Sequence, residues 1–104
     1  MKDKNYILQL IKNSVKVTAP DAILILYGSY ARDDYRDDSD IDLLILINKD
    51  KVTPAEEDKI TYPLYSIGFK TGLLISPMVY TKQGWAHHRV TPFYENVNNE
   101  GRVL

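Results

Sequence analysis

Two short apolar runs, at residues 23–27 and 41–47, restrict the folds open to this chain more than any other feature. Both consist mainly of isoleucine and leucine, without alternating polar positions. Such runs are typical of strands covered on both faces, as in a sheet flanked by helices. Because the chain has 104 residues, we expect one α/β (α+β) domain over residues 1–104, built on one small sheet.

Helical patterns alternate with these runs. Residues 4–17 have apolar side chains at helical spacing, and two Thr-Pro pairs, at 53–54 and 91–92, each place a capping hydroxyl before a proline in the first helical turn. Residues 72–80 predict a third strand, in which Pro77 indicates a sheet edge or a bulge. The expected order is α-β-α-β-α-β-α, with a mixed sheet of three or more strands flanked by helices.

Several local details are also expected. The second long helix should kink at Pro63, since proline removes a backbone donor, and it should end at Gly68. A short helix should start at Ser29 and be followed by a loop over residues 33–39. A further helix is predicted over residues 82–89.

The composition argues against several classes of binding partner. With 13 Lys and Arg against 14 Asp and Glu, the net charge is -1, so direct nucleic-acid binding is not expected. The chain has no cysteine, which excludes disulfides and thiolate metal sites. The N-terminus lacks the apolar segment of a signal peptide, and no apolar run approaches the roughly 20 residues that span a bilayer. We therefore expect a cytoplasmic protein with no membrane association.

A Gly-Ser pair, Gly28-Ser29, directly follows the first apolar run. A strand that gives way to a glycine and a helix start clusters backbone N–H groups, which attract phosphate. Gly28 permits a sharp turn and close approach of phosphate to the backbone, and the Ser29 hydroxyl can donate to a phosphate oxygen. Gly-Ser pairs also cap helices without any ligand, so the pair alone is a weak signal.

Two aspartates, Asp40 and Asp42, open the second apolar run. Residues i and i+2 of a strand share a face, so the two carboxylates should point the same way and repel each other unless a cation lies between them. Oxygen ligands of this kind suit Mg²⁺, which is commonly held by one or two carboxylates together with phosphates and water. The alternative is a solvated acidic strand end.

The two features together resemble a known signature. Gly28-Ser29, ten intervening residues and Asp40-Ile41-Asp42 resemble the motif of the DNA polymerase β-like nucleotidyltransferase superfamily. The fuller string Gly-Ser-Tyr-Ala-Arg…Ser-Asp-Ile-Asp-Leu-Leu is similar to its minimal branch, the small bacterial and archaeal MNT-type proteins. The resemblance implies the polymerase β-like nucleotidyltransferase fold. It also implies transfer of a nucleoside monophosphate to a hydroxyl, from ATP or another nucleoside triphosphate, with Mg²⁺ or alternatively Mn²⁺ as cofactor.

The resemblance also implies roles for these residues. Gly28 and Ser29 would hold the β- and γ-phosphates, and Asp40 and Asp42 would bind the metals that bridge the triphosphate and activate the attacking hydroxyl. Such an in-line displacement depends mainly on positioning and charge neutralisation.

Four further residues have alternative interpretations. Arg32, one turn after the Gly-Ser pair, could reach a phosphate or pair with neighbouring aspartates. Ser39 could orient Asp40, touch a phosphate or cap its own loop. Tyr27 and Tyr30 flank the turn, and could stack on a base or fill the rim of the pocket.

The chain departs from the family pattern at two places. Asp33 stands where the family often has glycine. Many active members also have a third metal-binding acid on the following strand, whereas residues 72–80 contain only Ser76 as a small polar residue near the middle. Either two acids suffice, or an acid comes from elsewhere, with Glu56 and Glu57 as candidates, or catalysis is weak or lost.

The resemblance implies a specific physiology, the antitoxin of a HEPN/MNT toxin–antitoxin pair. In such pairs some members transfer AMP to a tyrosine of the helical HEPN-type partner. Two alternatives stay open: an inactive or weakly active module that regulates a helical partner by binding, and a subunit of an antibiotic nucleotidyltransferase. The acceptor, the base preference and the oligomeric state are left open by the sequence.

Overall fold

The computed structural model describes residues 3–104, which form five helices and four strands. In chain order the elements are α1 (Lys4–Thr18), β1 (Ile23–Tyr27), α2 (Ser29–Arg32), β2 (Asp40–Ile47), α3 (Pro54–Thr71), β3 (Leu74–Thr81), α4 (Lys82–Ala86), α5 (Pro92–Glu100) and β4 (Arg102–Val103). Among these residues, no helix is both long and apolar enough to cross a membrane.

The strands form one mixed sheet in the order β3-β2-β1-β4. β1 pairs antiparallel with both β2 and β4, and β2 pairs parallel with β3. This confirms the predicted mixed sheet of three or more strands, and it places β3, the strand that contains Pro77, at an edge. β4 was not predicted, because two residues are too few to show an alternating pattern.

The predicted threonine caps are present. Thr53 precedes α3 and Thr91 precedes α5, and the side chain of each accepts a hydrogen bond from a backbone N–H in the first turn. A third threonine, Thr81, caps α4 in the same way through the N–H of Gly84. These bonds satisfy helix N–H groups that would otherwise have no partner.

Helix α3 does not end where the sequence predicted. It continues through Pro63 and past Gly68 to Thr71, and Gly72 ends it with a φ of 74°. Gly68 has a packing role instead, because a Cβ at this position would lie 2.8 Å from the carbonyl oxygen of Leu73. The prediction that Gly68 ends the helix is therefore wrong.

The two faces of β2 pack against different helices. On one face, fully or almost fully buried side chains join the core that α1 and α3 cover: Ile41, Leu43, Ile45 and Ile47. On the other face, Leu44 and Leu46 pack with Trp85 and Val97 of α4 and α5. By alternation Asp40 and Asp42 belong to this second face, and they lie where its cover ends, Asp40 exposed and Asp42 half-buried.

Candidate active site

The turn after β1 has a conformation that only glycine adopts readily. Gly28 is buried and has φ 75° and ψ −158°, a region that side chains with a Cβ strongly disfavour. Its carbonyl accepts hydrogen bonds from the N–H groups of Ala31 and Arg32, which closes the single turn of α2. The predicted short helix at Ser29 is thus present.

The carboxylate of Asp42 lies directly against this turn. β1 and β2 pair so that Tyr27 is opposite Asp42. A Cβ added to Gly28 would lie 3.2 Å from Asp42 Cγ and would overlap its Oδ2. Glycine is therefore required at position 28 both by the backbone angle and by the space that Asp42 occupies.

Asp40 and Asp42 share their side of the sheet with Ser76 of β3. The parallel pairing of β2 and β3 places Asp42 opposite Ser76, and the Ser76 hydroxyl donates a hydrogen bond of 3.2 Å to Asp40 Oδ2. Ser76 thus occupies the β3 position beside the acid pair. Two carboxylates and a hydroxyl are hard oxygen donors that suit Mg²⁺ completed by phosphate and water. Within residues 3–104, no cluster of three or more His, Cys, Asp or Glu side chains could hold a metal.

The position of Asp42 makes its charge unfavourable. Burial raises the pKa of the Asp42 carboxyl, and the charge of Asp40 raises it further. Arg32 opposes this rise, and the nearby Glu100 adds to it. A cation bound between the two aspartates would relieve the repulsion.

Glu100, the last residue of α5, contacts the same turn and was not identified from the sequence. The N–H of Gly28 donates to Glu100 Oε1 at 3.1 Å, and Arg32 Nη1 donates to Glu100 Oε2 at 2.9 Å. One signal was available, because a carboxylate in the last turn of a helix is disfavoured by the helix dipole unless another group binds it. Its partners are 72 and 68 residues away in the chain, so the sequence could not indicate them.

Gly101 explains how Glu100 reaches the turn. A Cβ at position 101 would overlap the carbonyl oxygen of Val97 and lie 2.9 Å from Cγ2 of Ile25. The missing side chain lets the end of α5 approach β1 closely, and this brings Glu100 to the residue that follows β1.

Arg32 and Ser39 make the alternative contacts that were considered for them. Arg32 is exposed, and its Nε donates to Asp34 Oδ2 at 3.1 Å in addition to its bond with Glu100. The Ser39 hydroxyl accepts a hydrogen bond of 2.8 Å from the N–H of Arg36 and so caps its own loop. Phosphate contacts by Arg32 and Ser39 stay predictions.

The two tyrosines that flank the turn have different environments. Tyr30 is 5% exposed within the core and stacks on Tyr35 with ring centroids 4.1 Å apart. Tyr27 is half-buried on the face of Asp42 and packs edge-on against Phe93. Burial, with the charge of Asp42 adding to it, raises the pKa of Tyr27 to about 12. Of the two, only Tyr27 adjoins the acid pair.

Glu56, one of the candidates for a third acid, lies at the opposite end of β2. It forms an ion pair with Lys49 and lines a shallow pocket with Ile47 and Asn48. Since β2 has eight residues and a strand rises about 3.3 Å per residue, Glu56 cannot join Asp40 at the other end. Glu57, its neighbour in the first turn of α3, is excluded for the same reason.

An open cavity of about 530 Å³ lies away from the acid pair. Its lining includes Lys4, Tyr30, Tyr35 and Arg36. Lys4 is already bound to the Tyr30 carbonyl and to Asp33, and the cavity contains no pair of adjacent carboxylates. A large volume alone does not make this cavity the active site, so the candidate site stays at the Gly28 turn and the acid pair.

A turn of backbone donors beside paired carboxylates, at one end of a mixed sheet, is the arrangement that the resemblance to nucleotidyltransferases predicted. The sequence profile of the nucleotidyltransferase domain family matches residues 8–80, a range that includes both the turn and the acid pair. The chain therefore belongs to the nucleotidyltransferase family.

Two relatives come from Methanocaldococcus jannaschii. "Putative protein adenylyltransferase MJ0141" is 36% identical over 97 residues, which cover 91% of this chain and 92% of the relative. "Putative protein adenylyltransferase MJ0604" is 36% identical over 81 residues, which cover 78% of this chain and 75% of the relative.

Several solved chains share the fold, and two of them belong to proteins named as toxin–antitoxin assemblies. The first is described as "toxin-antitoxin with AMP-PNP"; it superposes with a TM-score of 0.66 at 17% identity, over 91% of this chain and 69% of the other. The second, a mutant of the "toxin-antitoxin MntA-HpeT" with one tyrosine changed to alanine, has a TM-score of 0.58 at 18% identity, over 100% of this chain and 72% of the other. Because the sequence identity is so low, these likenesses show a shared fold and nothing beyond it.

Proposed function

We propose that this chain transfers AMP from ATP to a hydroxyl group of a partner protein. The observation that carries this proposal is the contact between the Gly28 turn and the Asp42 carboxylate, because these are the residues that would bind phosphate and metal. The names of the two relatives, as protein adenylyltransferases, support a protein acceptor and an adenylyl donor.

The residues would divide the work as follows. The N–H of Gly28 and the hydroxyl of Ser29 would bind the β- and γ-phosphates, and Arg32 would add a positive charge on their outer side. Asp40 and Asp42 would hold Mg²⁺, which when bound neutralises phosphate charge and lowers the pKa of the attacking hydroxyl. Ser76, bonded to Asp40, would fix the orientation of that carboxylate.

The reaction exchanges one phosphorus–oxygen bond for another. The acceptor hydroxyl oxygen forms a bond to the α-phosphorus, and the bond from that phosphorus to the bridging oxygen of pyrophosphate breaks. The hydroxyl proton leaves to solvent, and pyrophosphate departs in line with the attacking oxygen. The open sheet face beside Asp40 leaves room for an acceptor that is part of another protein.

The partner proposed here is a helical HEPN-type toxin, with this chain as its antitoxin. The two solved structures described above are named as toxin–antitoxin assemblies. AMP transfer to a tyrosine hydroxyl of the toxin would then neutralise it.

The position of the label in ATP tests the proposal. The chain, with the protein that copurifies with it, is incubated with Mg²⁺ and ATP labelled at either the α- or the γ-phosphate. We expect the α-label on the partner protein and the γ-label in pyrophosphate, with no transfer after chelation of Mg²⁺. A γ-label on the partner would indicate phosphorylation and would overturn the proposal.

A second candidate function is regulation by binding alone. The observation that favours it is Ser76, which stands at the β3 position beside the acid pair and supplies no charge. If ATP binds and the partner complex forms, but no α-label is transferred, this candidate replaces the first.

A further inference from the structure

The carboxylate of Glu100 fills the position at the turn where an anionic ligand would bind. Its two oxygens each accept one hydrogen bond, Oε1 from the N–H of Gly28 at 3.1 Å and Oε2 from the Arg32 guanidinium at 2.9 Å. Carboxylate and phosphate oxygens recruit the same donors in the same geometry. Two of the three groups that the proposed function assigns to the triphosphate, the Gly28 N–H and Arg32, are thus engaged by an anion of the chain itself.

The surroundings of this contact disfavour the negative charge of Glu100. Glu100 ends α5, where the helix carbonyls disfavour a negative charge. Its charge also contributes to the raised pKa of Asp42. The one cation that Glu100 binds among the described residues, Arg32, is shared with Asp34. A triphosphate has more oxygens and more charge to offer these donors, so an incoming nucleotide can displace the side chain.

Glu100 is not arranged as a third metal-binding acid. Both of its oxygens are directed to the backbone and guanidinium donors, and among residues 3–104 it forms no metal-binding cluster with Asp40 and Asp42. Its position corresponds to the phosphate side of the site and not to the metal side.

We propose that Glu100 is an internal competitor of the nucleotide: it occupies the phosphate-binding donors of Gly28 and Arg32 and must leave them before a triphosphate binds. This inference rests on the proposed function, since it takes the Gly28 turn as the triphosphate site. If Glu100 competes in this way, the end of α5 determines how tightly the site binds ATP.

The sign of the change in ATP affinity tests the inference. Glu100→Gln keeps the shape of the side chain but removes its charge, and we expect the dissociation constant for ATP with Mg²⁺, measured by calorimetry, to fall about tenfold, or about 1.4 kcal/mol. The matched control is Asp34→Asn, which removes a charge from the same Arg32 without touching Gly28, and its effect should be clearly smaller. Equal effects of the two variants, an unchanged constant, or weaker binding by Glu100→Gln would each overturn the inference.

A measurement on the wild type does not depend on how the variants fold. The carboxyl carbon resonances of Glu100 and of the exposed Glu95 on the same helix are followed by NMR as ATP is added. We expect the Glu100 signal to move toward the position of the Glu95 signal as Glu100 is released. A Glu100 signal that stays in place at saturating ATP contradicts the inference.

The two proposals fail in different ways. If wild type and Gly28→Ala bind ATP equally, the turn is not the nucleotide site and the proposed function fails. If only the wild type binds ATP while Glu100→Gln brings no gain, the proposed function stands and the competitor role is wrong.

Discussion

The two faces of the sheet differ in how far helices cover them. On the face under α1 and α3, Ile41, Leu43 and Ile45 are fully buried. On the other face, α4 and α5 bury Leu44 and Leu46 but leave Asp40 exposed and Asp42 half-buried. The residues of β2 on the closed face therefore contribute stability. The residues at the start of β2 on the other face, Asp40 and Asp42, form the candidate active site. The difference predicts that substitutions on the two faces will separate stability from activity.

The largest effect on stability is expected from the closed face. Leu43→Ala removes a fully buried side chain, and we expect the free energy of unfolding, measured with urea, to fall by about 2–5 kcal/mol. Leu74→Ala is the matched control, because Leu74 is 64% exposed on the edge strand beside Asp40; it should change stability by about 0.5 kcal/mol or less. Similar losses in both variants would show that the two faces do not differ as described.

Substitution at the Gly28 turn should lower both the stability of the fold and the rate of AMP transfer. Gly28→Ala places a Cβ at positive φ, which costs about 1–3 kcal/mol of stability, and pushes Asp42 from its place, so AMP transfer should be lost as well. Gly72→Ala is the control, since Gly72 has nearly the same φ, 74° against 75°, but forms the C-cap of α3 and not the turn that Asp42 contacts. It should lose stability with transfer intact. If the Gly28→Ala variant transfers AMP at the full wild-type rate, the position of Asp42 does not matter for the reaction.

The smallest predicted effect is a pH dependence of stability. The folded state raises the pKa of Asp42, so between the ordinary and the raised pKa the folded protein binds more protons than the unfolded chain. Stability therefore falls as the pH rises through this window, and the penalty persists above it. We expect Asp42→Asn to be more stable than wild type at pH 7 in the absence of Mg²⁺. This difference should shrink as the pH is lowered through the raised pKa; a difference that grows instead would contradict the burial argument.

The parts of the fold that could be predicted from the sequence are those that depend on residues close together in the chain. The apolar runs gave β1 and β2 their limits to within a residue, because buried strands need continuous apolar side chains. Thr53 and Thr91 marked two helix starts because their hydroxyls bind N–H groups three residues on. The pairing of Gly28 with Asp42 followed from a motif that spans fifteen residues, 28 to 42.

The parts that sequence reasoning missed depend on distant contacts. Gly68 does not end α3, and its lack of a side chain leaves room for the Leu73 carbonyl after the chain has turned. Glu100 joins the site only because Gly101 allows α5 to meet β1. β4 exists because β1 offers a free edge to residues that follow α5. None of these contacts leaves a periodic pattern in the sequence.

We propose that Asp40 and Asp42 act with the Gly28 turn as one catalytic site. The most direct test compares the initial rates of AMP transfer to the partner protein in two double variants. Asp40→Asn with Asp42→Asn should lower the rate about 10³-fold, since the metal that these residues would hold contributes several kcal/mol to the transition state. Asp37→Asn with Asp38→Asn removes the same charge from the adjacent loop and should keep the wild-type rate. Unchanged transfer by the first variant, with its fold intact, would contradict the account.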